Sequence, residues 1–89
     1  MNSINQQRIE RMMLLLNASL SPSKLSIIDN SHLHVGHAGA KTGMGHFELE
    51  IVSQKFSGLP SLKRHQLIYK ALGDMMQTDI HALSIKASV

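Results

Sequence analysis

Six histidines stand in a chain of 89 residues that has no cysteine. Metal chemistry within it therefore rests on imidazole nitrogen and on oxygen donors. Disulfides, thiolate zinc sites, thiol nucleophiles and all-cysteine iron–sulfur sites are excluded. His32, His34 and His37 form an H-x-H-x-x-H run inside Asn30–Gly45, a segment with four glycines. A neutral imidazole is a common metal ligand, and a glycine-rich backbone would let these rings converge. The competing reading is three solvated loop histidines. His81 falls in strand alternation with Leu83 and Ile85, which puts it on an apolar face as either a packed residue or a ligand. His65 lies in the apolar stripe of a helix, where a core-edge histidine bonded to a neighbour is expected. His46, Glu48 and Glu50 share one strand face; they could hold a metal, but the same alternation marks a solvated sheet face.

Other patterns fail on context. The loop run differs from the H-x-H-x-D-H of metallo-β-lactamase-type hydrolases in having Gly36 at the aspartate place, and the chain is too short for that two-sheet enzyme. Gly36-His37-Ala38-Gly39 has the GxxG form of KH nucleic-acid modules but joins strands where those modules join helices. Lys63, Arg64 and Lys70 give one helix a basic flank that could meet phosphates or simply water. With three aromatic residues, a net charge of +3 and 17% charged residues, neither a base-stacking platform nor a polybasic arm is present. No nucleophile–base pair or paired-carboxylate motif emerges, so no catalytic residue and no enzyme is expected. The longest apolar run, Met12 to Leu16, is too short to span a membrane, and a soluble cytoplasmic protein is expected.

The elements that must carry these residues follow from periodicity. Ile9, Met13, Leu16 and Leu20, widened by Met12 and Leu15, predict an amphipathic helix stopped by Ser21-Pro22-Ser23. Lys24–Asp29 predicts a strand, Asn30–Gly45 a long loop, and His46–Ser53 a strand with Phe47, Leu49 and Ile51 on its inner face. After a turn at Gln54–Pro60, Leu62, His65, Tyr69, Leu72 and Met76 predict a second helix over Ser61–Met76. Ile80–Lys86 closes as a strand. A helix crossing between the last two strands makes them parallel. The expected fold is α/β: a two-layer sandwich of α-β-β-α-β order, with a three-stranded mixed sheet covered by helices on one face. Residues 1–89 form one domain.

Gly45-His46-Phe47, Ile51-Val52-Ser53, Phe56-x-Gly58, Arg64-His65, Tyr69 and Ile80-His81-Ala82-Leu83 together resemble the BolA family, over about residues 4 to 87. The resemblance implies a type II KH-like topology, in agreement with the element order. It also implies pairing with a monothiol CGFS glutaredoxin and a shared [2Fe-2S] cluster. That cluster is held by the glutaredoxin cysteine, a glutathione thiolate, the histidine of the final strand and a histidine or cysteine of the loop between the first two strands.

Carried onto this chain, the final-strand ligand is His81 and the loop ligand His37, with His34 and then His32 as alternates. No cluster is expected to stay tightly bound to the isolated chain, which would be a monomer or weak homodimer. Gln66, where a second basic residue commonly follows Arg-His, and Gly45, where Thr or Ser is usual, depart from the family pattern. The expected function is a non-catalytic regulator for iron sensing or cluster transfer. A DNA-binding transcriptional regulator using Lys63, Arg64 and Lys70 is the alternative. Partner-free zinc or iron binding by His32, His34, His37 and His81 is a third possibility.

Overall fold

The computed structural model describes residues 3–31 and 43–89. Helix α1 (Ser3–Leu20) leads into β1 (Lys24–Asp29), and β2 (Gly45–Val52) follows the loop. A single 3-10 turn (Gln54–Phe56) connects to α2 (Ser61–Leu72), a short α3 (Met75–Thr78) and β3 (Ile80–Ser88). The sheet order is β1-β2-β3, with β1 antiparallel and β3 parallel to the central β2. The expected mixed sheet and element order are thus present. Among the described residues no helix is long and apolar enough to cross a membrane.

The core lies between the sheet and the helices. Met12, Leu16 and Leu20 are buried at four-residue steps along α1 and meet Phe47, Leu49 and Ile51 of β2 in one cluster. That spacing keeps them on a single helix face, and the two-residue alternation keeps the β2 residues on a single sheet face. The end of α1 is tied to the end of β2 through the buried Ser53. Its hydroxyl donates to the Leu20 carbonyl at 2.6 Å and accepts from the Lys55 N–H at 3.2 Å. Phe56, on the 3-10 turn that Ser53 caps, fills the core beside Ile68 and Leu72.

The second helix departs from its sequence reading in extent and in phase. It ends at Leu72, because Gly73 takes φ +58° and donates its N–H to the Tyr69 carbonyl at 2.9 Å. Positive φ is a conformation that glycine adopts without steric cost and that terminates helices. Met75 and Met76 belong to the separate α3. The buried face is built from Ile68 and Leu72, with Leu67 and Ala71 packed against them, whereas Leu62 is 67% and Tyr69 40% exposed. Leu62 and Tyr69 are seven residues apart and so share one side of the helix. The tertiary contacts turned that side toward solvent.

Candidate functional site

The two ends of the sheet's parallel pair meet at one rim. Gly45 is opposite Ile80, but His46 is opposite Ala82, so β3 carries one extra residue there, and that residue is His81. A β-bulge of this kind bends the strand and re-aims a side chain. Ile80 stays in the core, and Leu83 resumes the inward alternation opposite Phe47. His81 is thereby released from the apolar face that simple alternation assigned to it and is exposed. Its ring lies against that of His46, with centroids 4.9 Å apart and planes tilted by 52°.

His46 reverses the other sequence expectation. Alternation placed it on a solvated face with Glu48 and Glu50, yet it is only 5% exposed. Its backbone is pinned on both sides: the N–H donates to Ser31 Oγ at 3.0 Å and the carbonyl accepts from the Asn30 N–H at 2.8 Å. Glu48 is exposed, and Glu50 faces Lys24 at 3.6 Å. These carboxylates line a shallow groove on the open sheet face with Ser26, Ile28, Ser84 and Lys86, and His46 is not part of it. The His/Glu/Glu arrangement is therefore not assembled. Among the described residues no three His, Asp or Glu side chains cluster as a metal-binding group.

A polar network that no sequence motif announced holds this rim to α1. Asn5, on the buried face of α1 but polar, donates from Nδ2 to Asp29 Oδ2 at 3.0 Å and to Ser31 Oγ at 3.1 Å. Arg8 donates from Nη1 to Asn5 Oδ1 at 2.8 Å and to the Gly43 carbonyl at 2.9 Å, and its Nε faces Asp79 Oδ1 at 3.4 Å. The Gly45 N–H donates to the Asp79 carbonyl at 2.9 Å. Ser31 and Gly43 flank the loop, and Asp79 stands two residues before His81. The one signal available in the sequence is an asparagine continuing the Met12–Leu16–Leu20 register toward the helix start. At Gly45 a β-carbon would run into the Phe47 ring as it is placed here, so a side chain there requires that ring to shift.

The remaining predicted site residues fall elsewhere. His32, His34 and His37 lie outside the described residues. His65 is half-buried in the helix layer, edge-on to Tyr69 at 6.5 Å between centroids. Lys63 and Lys70 are exposed on α2. Arg64 is not a free surface cation: Nε donates to the Leu59 carbonyl at 2.8 Å and Nη1 to the Ala87 carbonyl at 3.1 Å. Its guanidinium joins the start of α2 to β3. That is a structural task for a residue whose type had suggested phosphate contact.

A three-stranded mixed sheet backed by helices in α-β-β-α-β order, with an exposed histidine on the bulge opening the last strand, defines a small two-layer α/β module. The chain belongs to the BolA family, whose model, described as BolA-like protein, matches residues 16–89. It is 42% identical over 83 residues to the chloroplastic protein BOLA1 of Arabidopsis thaliana, covering 90% of this chain and 52% of that protein. It is 36% identical over 76 residues to the DNA-binding transcriptional regulator BolA of Escherichia coli, covering 85% of this chain and 70% of that one.

Among solved structures, the BolA domain of SufE1 from A. thaliana superposes with a TM-score of 0.79 at 41% identity, covering 91% of this chain and 90% of that chain. BolA1 from the same plant gives 0.75 at 37% identity, covering 89% and 87%. The chain spans about half the length of the chloroplastic BOLA1 and 21% of the A. thaliana SufE-like protein 1. Other relatives are named as BolA-like protein 1, in Mus musculus, and as a transcriptional regulator, in E. coli.

Proposed function

We propose that this chain is a non-catalytic regulator that binds a monothiol CGFS glutaredoxin and co-ligates a bridged [2Fe-2S] cluster, with His81 from β3 and His37 from the loop. The observation that carries this reading is the bulge, which puts the imidazole of His81 at an accessible rim. The donor chemistry fits. A chain without thiols can complete a mixed site only with imidazole or oxygen, and neutral imidazole is an established ligand to iron in such clusters. Bound there, the cluster would supply a redox-active and transferable iron pair, suited to iron sensing or cluster transfer. The chain's own part is to present the ring and to keep the flanks of the loop, Ser31 and Gly43, tied to α1 beside it.

Mixing the chain with a CGFS glutaredoxin, glutathione, iron and sulfide is expected to give a coloured heterodimer. Its visible absorption and circular dichroism should change in His81→Ala. An identical spectrum in that variant would remove His81 from the site.

DNA binding is the second reading, favoured by the function in the name of the E. coli relative and by the exposure of Lys63 and Lys70. Because Arg64 is occupied, the phosphate contacts would come from the two lysines. Neutralising both should lower the slope of log affinity against log salt by about 2, at roughly 0.9 per phosphate contact. Binding that ignores salt would count against this reading.

A further inference from the structure

His81 stands on a bulge and is exposed, so its own strand does little to select a rotamer. The described ring that touches it is His46, at 4.9 Å between centroids. His46 is itself enclosed: it sits in the central strand, is buried, and has its backbone N–H and carbonyl bonded to Ser31 and Asn30. Both of its ring nitrogens are shielded from solvent. A metal shared across a docking surface would find no donor there, which separates the roles of the two imidazoles: one can ligate, the other can only support.

We propose that His46 is a positioning residue whose fixed ring forms the wall that holds the His81 imidazole in its ligating orientation. This inference rests on the reading of His81 as co-ligand. Without the wall, χ1 of His81 is free to sample three staggered wells, and its ring torsion is roughly two-fold. The competent fraction then falls from near one to between about a third and a sixth, and apparent affinity falls by the same factor. His46→Ala is expected to weaken cluster-dependent assembly with the glutaredoxin about threefold to sixfold, whereas His46→Phe, which keeps a ring, should stay within about twofold of the native chain.

The test begins on the metal-free full chain. Three-bond couplings should report a single χ1 rotamer for His81 in the native protein and in His46→Phe, and an average in His46→Ala. Averaging in the native chain would overturn the proposal without recourse to any variant, even if the alanine variant fails to fold. So would a single rotamer and native assembly in His46→Ala, or a His46→Phe protein that behaves like His46→Ala. In the heterodimer, His81→Ala separates the two ideas. If it leaves the visible circular dichroism unchanged, the co-ligand reading falls and the positioning role with it. If it changes the spectrum while His46→Ala retains native spectrum and affinity, the positioning role alone falls.

Discussion

Phe56→Ala is expected to lower the unfolding free energy by about 3–5 kcal/mol, the range for removing a buried aromatic ring. Phe56 is 0% exposed and belongs to the same cluster as Met12, Leu16, Ile51, Ile68 and Leu72, contributed by α1, α2 and the central strand. Its N–H donates to the Ser53 carbonyl at 3.1 Å and its carbonyl accepts from the Leu59 N–H at 3.0 Å, so the backbone carrying the ring is anchored. An anchored backbone cannot collapse into the void, which places the cost toward the upper part of the range. Domains of this size have a total stability of roughly 4–13 kcal/mol, so the loss takes between about a quarter of it and all of it. Urea denaturation checks this: the midpoint should fall with little change in slope. Phe56→Leu, which restores most of the volume, should cost less than half as much. A loss below about 1 kcal/mol in the alanine variant would contradict the central place of this ring.

Asn5→Ala is expected to cost about 1–3 kcal/mol by a different route. The asparagine is 3% exposed, and removing its amide takes one partner each from Asp29, Ser31 and Arg8 in part-buried surroundings. Losing a partner in such a place costs more than an average hydrogen bond contributes, because the remaining group keeps its desolvation penalty. The consequence should also be local. Ser31 Oγ accepts from the His46 N–H, so amide exchange at His46 should quicken more than exchange at Leu49 or Ile51 in the middle of the same strand. Uniform acceleration along β2 would mean that Asn5 contributes to global stability without shaping the rim.

Much of the architecture is readable in one dimension. The alternation Phe47, Leu49, Ile51 and the limits of β1 rest on the two-residue repeat of a strand and survive folding unchanged, since neighbouring residues alone decide them. The family follows from motifs at fixed spacing, and the element order leaves few topologies. Of the candidate site, the identity of His81 was legible, but its surroundings were not. A strand read by alternation puts it beside Leu83 and Ile85, and no local signal shows that β3 carries one residue more than β2 at that point.

The residue types and their local periods thus settled the element order, the core strands and the histidine to watch. Contacts between distant parts of the chain decided the rest. The register of β3 against β2 exposed His81 and set it on the buried His46. Bonds from Arg8 to Asp79, 71 residues on, and from Arg64 to Ala87 committed two guanidiniums to structure. Packing against the sheet chose the face that α2 buries. A repeat is a property of neighbouring residues, whereas a bulge, a long-range hydrogen bond and the phase of a helix are each fixed by a partner that the local sequence does not contain.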